Sequence, residues 1–108
     1  MANLVGTDVA DSLLLGSEAS DTVSGLGGDD VIIALDGDDL VLGDQGNDDV
    51  NGNRGNDTVR GGPGDDIFVR GGKDNDIVDG DDGDDSHVNG NIGNDTVHGG
   101  LGNDNVYG

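Results

Sequence analysis

Residues 55–78 read GNDTVRGGPGDDIFVRGGKDNDIV. One short pattern is written three times here: a glycine-rich turn, an Asp, then a brief β-prone run. Asp57, Asp66 and Asp76 share a column, and Val59, Phe68 and Val78 share the apolar column two places later. The period is nine, broken once by an extra residue at Val69. Working outward, the same frame holds from residue 5 to the end as eleven nonapeptides, with further single extras at Leu14 and Val88. Self-similarity at a short fixed period marks a solenoid, in which each repeat is too small to bury its apolar face alone.

The columns state what each place needs. An Asp occupies one column in every copy: Asp11, Asp21, Asp30, Asp39, Asp48, Asp57, Asp66, Asp76, Asp85, Asp95 and Asp104. The place before it is Asp or Asn from Asp29 onward, through Asp38, Asn47, Asn56, Asp65, Asn75, Asp84, Asn94 and Asn103. Two places after it stands a bulky apolar residue, from Leu13 through Phe68 to Val106. His87 breaks this column, and the adjacent Val88 is positioned to take its place. A leading glycine opens every turn but that of Ala34, and a second glycine three residues on is replaced only by Val9, Ala19 and Asp74. Glycines so spaced supply positive φ for a sharp bend. The run after each Asp, as in Thr58-Val59-Arg60, predicts a very short strand with one side chain inward. Successive strands then fall on opposite walls, each turn stacks on the turn two repeats away, and about six coils make a rod of roughly 25–30 Å.

One inward aliphatic per strand does not offset the ordering of nine residues, at about 1 kcal/mol or more each. The composition deepens the deficit. The 108 residues include 24 acidic and 4 basic ones, for a formal charge of −20, with one Tyr, one Phe and no Trp. Such a chain stays disordered unaided. Every acidic residue but Glu18 is Asp, the short carboxylate suited to a tight turn. Stacked turns bring two Asp carboxylates together beside turn carbonyls, an all-oxygen donor set that suits Ca²⁺ better than the smaller, more demanding Mg²⁺.

At this point the stretches GGPGDDIFV, GGKDNDIVD and GGLGNDNVY resemble the hemolysin-type, or RTX (repeats-in-toxin), calcium-binding nonapeptide G-G-x-G-x-D-x-U-x. The resemblance spans residues 5–108. It implies an all-β fold: a right-handed parallel β-roll, a solenoid of two short-strand sheets with Ca²⁺ between stacked turns. It also implies type I secretion and an extracellular location. The implied metal carboxylates are Asp30, Asp39, Asp48, Asp57, Asp66, Asp76, Asp85, Asp95 and Asp104, with turn carbonyls completing the shell. Stacking two repeats apart gives about seven ions. Residues 1–23, whose turns lack the inner glycine and the Asp or Asn before the Asp, are expected to be a degenerate N-terminal cap, and 24–108 the calcium-binding roll. Asp74 is expected to strain its turn or to add a ligand.

Other classes fail on residues. Four scattered cations make no nucleic-acid face. No apolar run approaches the ~18 residues of a membrane span. With no Cys there is no disulfide or thiolate site, and Met1-Ala2-Asn3 carries no basic signal n-region. No HExxH zinc motif, phosphate loop or EF-hand is present, and His87 and His98 have no catalytic partner. An ice-binding array requires a regular outward row of Thr, but that row runs Ser12, Thr22, Val31, Leu40, Asp49, Thr58, Ile67, Ile77, Ser86, Thr96, Asn105. The expected function is a non-catalytic module that folds on Ca²⁺. Its catalytic activity, if the parent has any, lies in another domain. Val31, Ile33, Leu40 and Leu42 form a candidate docking patch, and the final strand Asn105-Val106-Tyr107 a bare edge for end-to-end self-association.

Overall fold

A computed structural model describes residues 3–7, 9 and 14–107. Twelve short strands follow one another: β1 (Asn3–Val5), β2 (Leu14–Leu15), β3 (Thr22–Ser24), β4 (Val31–Ile33), β5 (Leu40–Leu42), β6 (Asp49–Arg54), β7 (Thr58–Arg60), β8 (Phe68–Lys73), β9 (Ile77–Asp79), β10 (Val88–Ile92), β11 (Thr96–His98) and β12 (Val106–Tyr107). Odd strands form one parallel sheet in the order β1-β3-β5-β7-β9-β11, and even strands the other in the order β12-β10-β8-β6-β4-β2. Alternation between walls follows from a nine-residue unit that spends most of its length on a turn. This is the expected all-β roll, with no helix among the described residues. Its shape differs from the expected rod: it is a slab of 34 × 34 × 15 Å, as broad as it is long. The breadth comes from the turns, some of which continue the strand, as in the six-residue β6 and β8.

The core is a single file of small aliphatics. Val23, Val41, Val59 and Val78 enter from one sheet and Ile32, Val50, Val69 and Val88 from the other, all fully buried. Register explains each. Val41 pairs with Val23 and Val59, and Val50 with Ile32 and Val69. Val88 fills the place His87 cannot, as expected. Phe68 does not fill the apolar column. It pairs with Asp49 on the outer face, while Val69 goes inside. The reason is a bulge: the N–H groups of both Ile67 and Phe68 donate to the Asp48 carbonyl, so one extra residue is absorbed before the strand and the pleat shifts by one. Leu14 likewise pairs with Ile32, whereas Leu13 lies outside the described residues, as does Asp11.

Alternation also divides the expected docking patch. Val31 and Ile33 belong to β4 in the even sheet, and Leu40 and Leu42 to β5 in the odd sheet. The two pairs sit on opposite walls and make no common surface.

Candidate metal centres

The Asp column lines the two edges of the slab, just before each strand. From Asp21 to Asp85 every member is at most 3 % exposed, and Asp95 and Asp104 are partly covered. Their stacking has a fixed form. The Asp30 N–H donates to Asp48 Oδ1 at 2.8 Å, Asp48 N–H to Asp66 Oδ1 at 2.9 Å, Asp66 N–H to Asp85 Oδ1 and Asp85 N–H to Asp104 Oδ1, each at 2.9 Å. The other edge repeats this from Asp39 through Asp57 and Asp76 to Asp95 at 2.8–2.9 Å. One carboxylate oxygen of each Asp is thus occupied by the neighbouring coil.

The second oxygen is not. Oδ2 of Asp39, Asp48, Asp57, Asp66, Asp76, Asp85 and Asp95 is buried and accepts no hydrogen bond. A buried anionic oxygen without a partner is costly, and a native fold holds one only for an ion, a water or a proton. Carbonyls stand nearby. A Cβ at Gly43 would lie 2.6 Å from Asp48 Oδ2 and 2.5 Å from the Gly61 carbonyl oxygen, so carboxylate and carbonyl approach one point. The Gly43, Gly61 and Gly80 carbonyls accept no backbone hydrogen bond among the described residues. A buried Asp carboxylate oxygen beside free carbonyls is an oxygen-only donor set, which fits a Ca²⁺ ion.

This geometry also revises the role of the leading glycine. Positive φ falls on the residue after it, such as Leu26 (70°) or Asp44 (68°), and on the inner glycine, such as Gly64 (123°). The leading glycine is not in that region. At Gly43, Gly61 and Gly80 the Asp five residues on folds its Oδ2 against the glycine Cα, where a Cβ would collide, whereas Ala34 carries a Cβ in the same place ahead of Asp39. At Asp74 the inner place has φ 81°, tolerable for Asp, and its Oδ2 accepts from the Gly55 N–H at 3.1 Å. The turn gains a hydrogen bond there.

Burial dominates the electrostatics. Loss of water lifts Asp48 and Asp57 to about 7, Asp66 to about 8, and Asp76 and Asp85 to about 6, and it raises Asp39 as well. The hydrogen bond from the neighbouring backbone opposes the shift, and the stacked carboxylates add to it.

The Asn/Asp column that precedes the buried Asp has a different role. Its side chains are exposed, and from Asp29 to Asp84 each Oδ1 accepts the N–H of the same column one coil on. Asp29 accepts from Asn47 at 2.9 Å, Asn47 from Asp65 at 2.9 Å, and Asp65 from Asp84 at 2.8 Å. Asn56, Asn75 and Asp84 continue it. Only an Oδ1 acceptor is required, so Asn and Asp interchange. The two ladders run in opposite senses, and spacing alone carries no signal of this. Asp21 differs from the later members, since both its oxygens accept from Ser17 at 2.6–2.9 Å.

Known proteins supply the last observation. The RTX calcium-binding nonapeptide repeat family matches in four copies, over residues 15–50, 42–72, 68–86 and 87–108. No curated protein and no solved structure gives a match. With the repeats matched from residue 15 to residue 108 and stacked as a two-sheet roll, the chain belongs to the RTX calcium-binding nonapeptide repeat family.

Proposed function

We propose that this chain is a non-catalytic module of a secreted protein, and that Ca²⁺ bound between stacked turns drives its folding. The observation that carries the reading is the row of buried, unpartnered Asp Oδ2 atoms along both edges. Ion-free, those carboxylates are desolvated and mutually repelling. A divalent cation in each gap turns the same arrangement into coordination, so the free energy of binding becomes free energy of folding. The proposed ligands are Asp30, Asp48, Asp66, Asp85 and Asp104 on one edge and Asp39, Asp57, Asp76 and Asp95 on the other. Four gaps and three gaps give about seven ions. In this reading residues 1–23 are the cap, because Ser17 already occupies Asp21. A chain that stays open at low cytosolic Ca²⁺ and folds near millimolar Ca²⁺ suits type I export, the route typical of the family.

Far-UV circular dichroism during a Ca²⁺ titration tests this. The expected result is a cooperative gain of β signal between roughly 0.1 and a few mM, the range of extracellular modules, with Mg²⁺ a poor substitute. A β signal indifferent to excess chelator overturns it.

A further inference from the structure

The proposed calcium edges leave unused a groove of about 740 Å³ on the outer side of the even sheet. Register explains why it is there. Asn53 and Asn91 flank Gly72 in adjacent strands, so the middle place has no side chain and the floor is backbone. One row away, Arg54 stands in register with Lys73. Tyr107, paired with Asn89, closes the far end and is 47 % exposed.

The side-chain donors in this groove have no partner among the described residues. Asn51 and Asn89 each accept the N–H of the residue two ahead, at 3.0 and 2.8 Å, which fixes their Oδ1 atoms and leaves the amide NH₂ groups without a partner among the described residues. The chain has four cations in all. Arg60 is held by Asp81 at 2.7 Å, and Arg70 by Asp49 at 2.7 Å with its guanidinium over Phe68. The other two, Arg54 and Lys73, form no ion pair among the described residues, although acidic residues outnumber basic ones by 24 to 4. Asp36, the acid in the lining, pairs with neither. Two unneutralised cations side by side, amide donors beyond them and an exposed phenol ring form a donor-rich surface on an acidic protein.

We propose that this groove binds an acidic glycan, with Arg54 and Lys73 on its carboxylate or sulfate group. Side-chain amides match ring hydroxyls, and the Tyr107 ring, which stacks on His87 with centroids 5.8 Å apart, has its remaining exposed surface available to a sugar. From β6 to β12 the groove crosses three strand spacings, about 14 Å, room for a short run of rings. A polyphosphate is a poorer fit, because it offers the side-chain amides no hydroxyls and the Tyr107 ring no apolar face, and two cations match only a small part of its charge.

The test is calorimetric titration of the protein at fixed, saturating Ca²⁺. The probes are a tetrasaccharide of uronic acid, a sulfated tetrasaccharide, a neutral tetrasaccharide and a tetraglutamate peptide. At least one charged sugar is expected to bind about tenfold or more tighter than the neutral sugar and the peptide, and the arm that does so identifies the acid group. The R54Q/K73Q double variant should lose that binding by about tenfold or more, while R60Q, on the odd sheet, retains it. Both cations are exposed, so the Ca²⁺ midpoint by circular dichroism should not move, which separates this site from calcium-driven folding. Equal affinity for the peptide, undiminished binding by the double variant, or no binding of either acidic sugar overturns the proposal.

Discussion

Within one nonapeptide, Asp66 serves two purposes in the proposed reading, a backbone acceptor and a metal ligand. Its Oδ1 accepts the Asp48 N–H, and its buried Oδ2 has no partner. Asp66→Asn keeps an acceptor for the first role and removes the charge needed for the second. It should raise the Ca²⁺ midpoint about tenfold, whereas Asp44→Asn and Asp81→Asn should shift it by less than about twofold. Asp44 only accepts from the Ser24 hydroxyl, and Asp81 pairs with the exposed Arg60. A Ca²⁺ titration of the three variants decides it, and equal shifts would mean diffuse screening. Proton linkage follows from the same burial. Asp57 and Asp66 rise from 3.8 to about 7 and about 8, so between those values the ion-free fold binds protons that the unfolded chain has released. Ion-free stability is therefore present below about pH 4 and is lost as pH rises through the folded values. Without Ca²⁺, acidification from pH 8 to 4 should increase β signal. With Ca²⁺, the midpoint should fall as pH rises from 6 to 8, with protons released on binding.

At the scale of the strand and its turn, the bulge before β8 decides what the core contains. Val69 is buried, and Phe68 lies outside against His87, their ring centroids 4.8 Å apart. Val69→Ala should cost about 2 kcal/mol in urea unfolding at saturating Ca²⁺, and Phe68→Ala distinctly less. The reverse order would restore Phe68 to the apolar column. The turn is equally sensitive on its close-approach side. Gly61→Ala places a Cβ against Asp66 Oδ2 and 2.9 Å from the Gly80 carbonyl oxygen, so it should reduce the number of ions bound. Native mass spectrometry of the variant beside the parent chain reads that loss directly.

For the whole molecule, the proposed calcium-driven folding of a thin core with acidic edges would make compaction conditional on metal. The folded roll has a radius of gyration of 11.9 Å. An unfolded chain of this length has one of about 33 Å. Small-angle scattering should pass from the larger value in chelator to near the smaller at millimolar Ca²⁺, with about seven ions per chain in native mass spectra. Two or fewer ions would contradict sites in every gap. Seven divalent ions would carry about +14 against the formal −20, so the folded module stays acidic and its repulsion is relieved rather than cancelled.

The repeat by itself determined the alternation of walls, the i to i+2 stacking, the buried aliphatic file and the Asp column. All of these follow from a nine-residue period with one Asp and one inward residue per unit. Three matters belonged to the tertiary structure. An extra residue in a strand of period two can go before or after the inward place, and only the bulge hydrogen bonds to Asp48 put Val69 inside and Phe68 outside. Glycine at the head of the turn looks the same in sequence whether it supplies a positive φ or merely lacks a Cβ. The packing of Asp66 Oδ2 against Gly61 shows the second. Arg54 and Lys73 are nineteen residues apart in the chain, and only coil stacking sets them side by side over a floor emptied by Gly72. Periodicity encodes what every repeat shares. What single repeats do differently depends on the neighbours above and below, and those are set only when the coils close on one another.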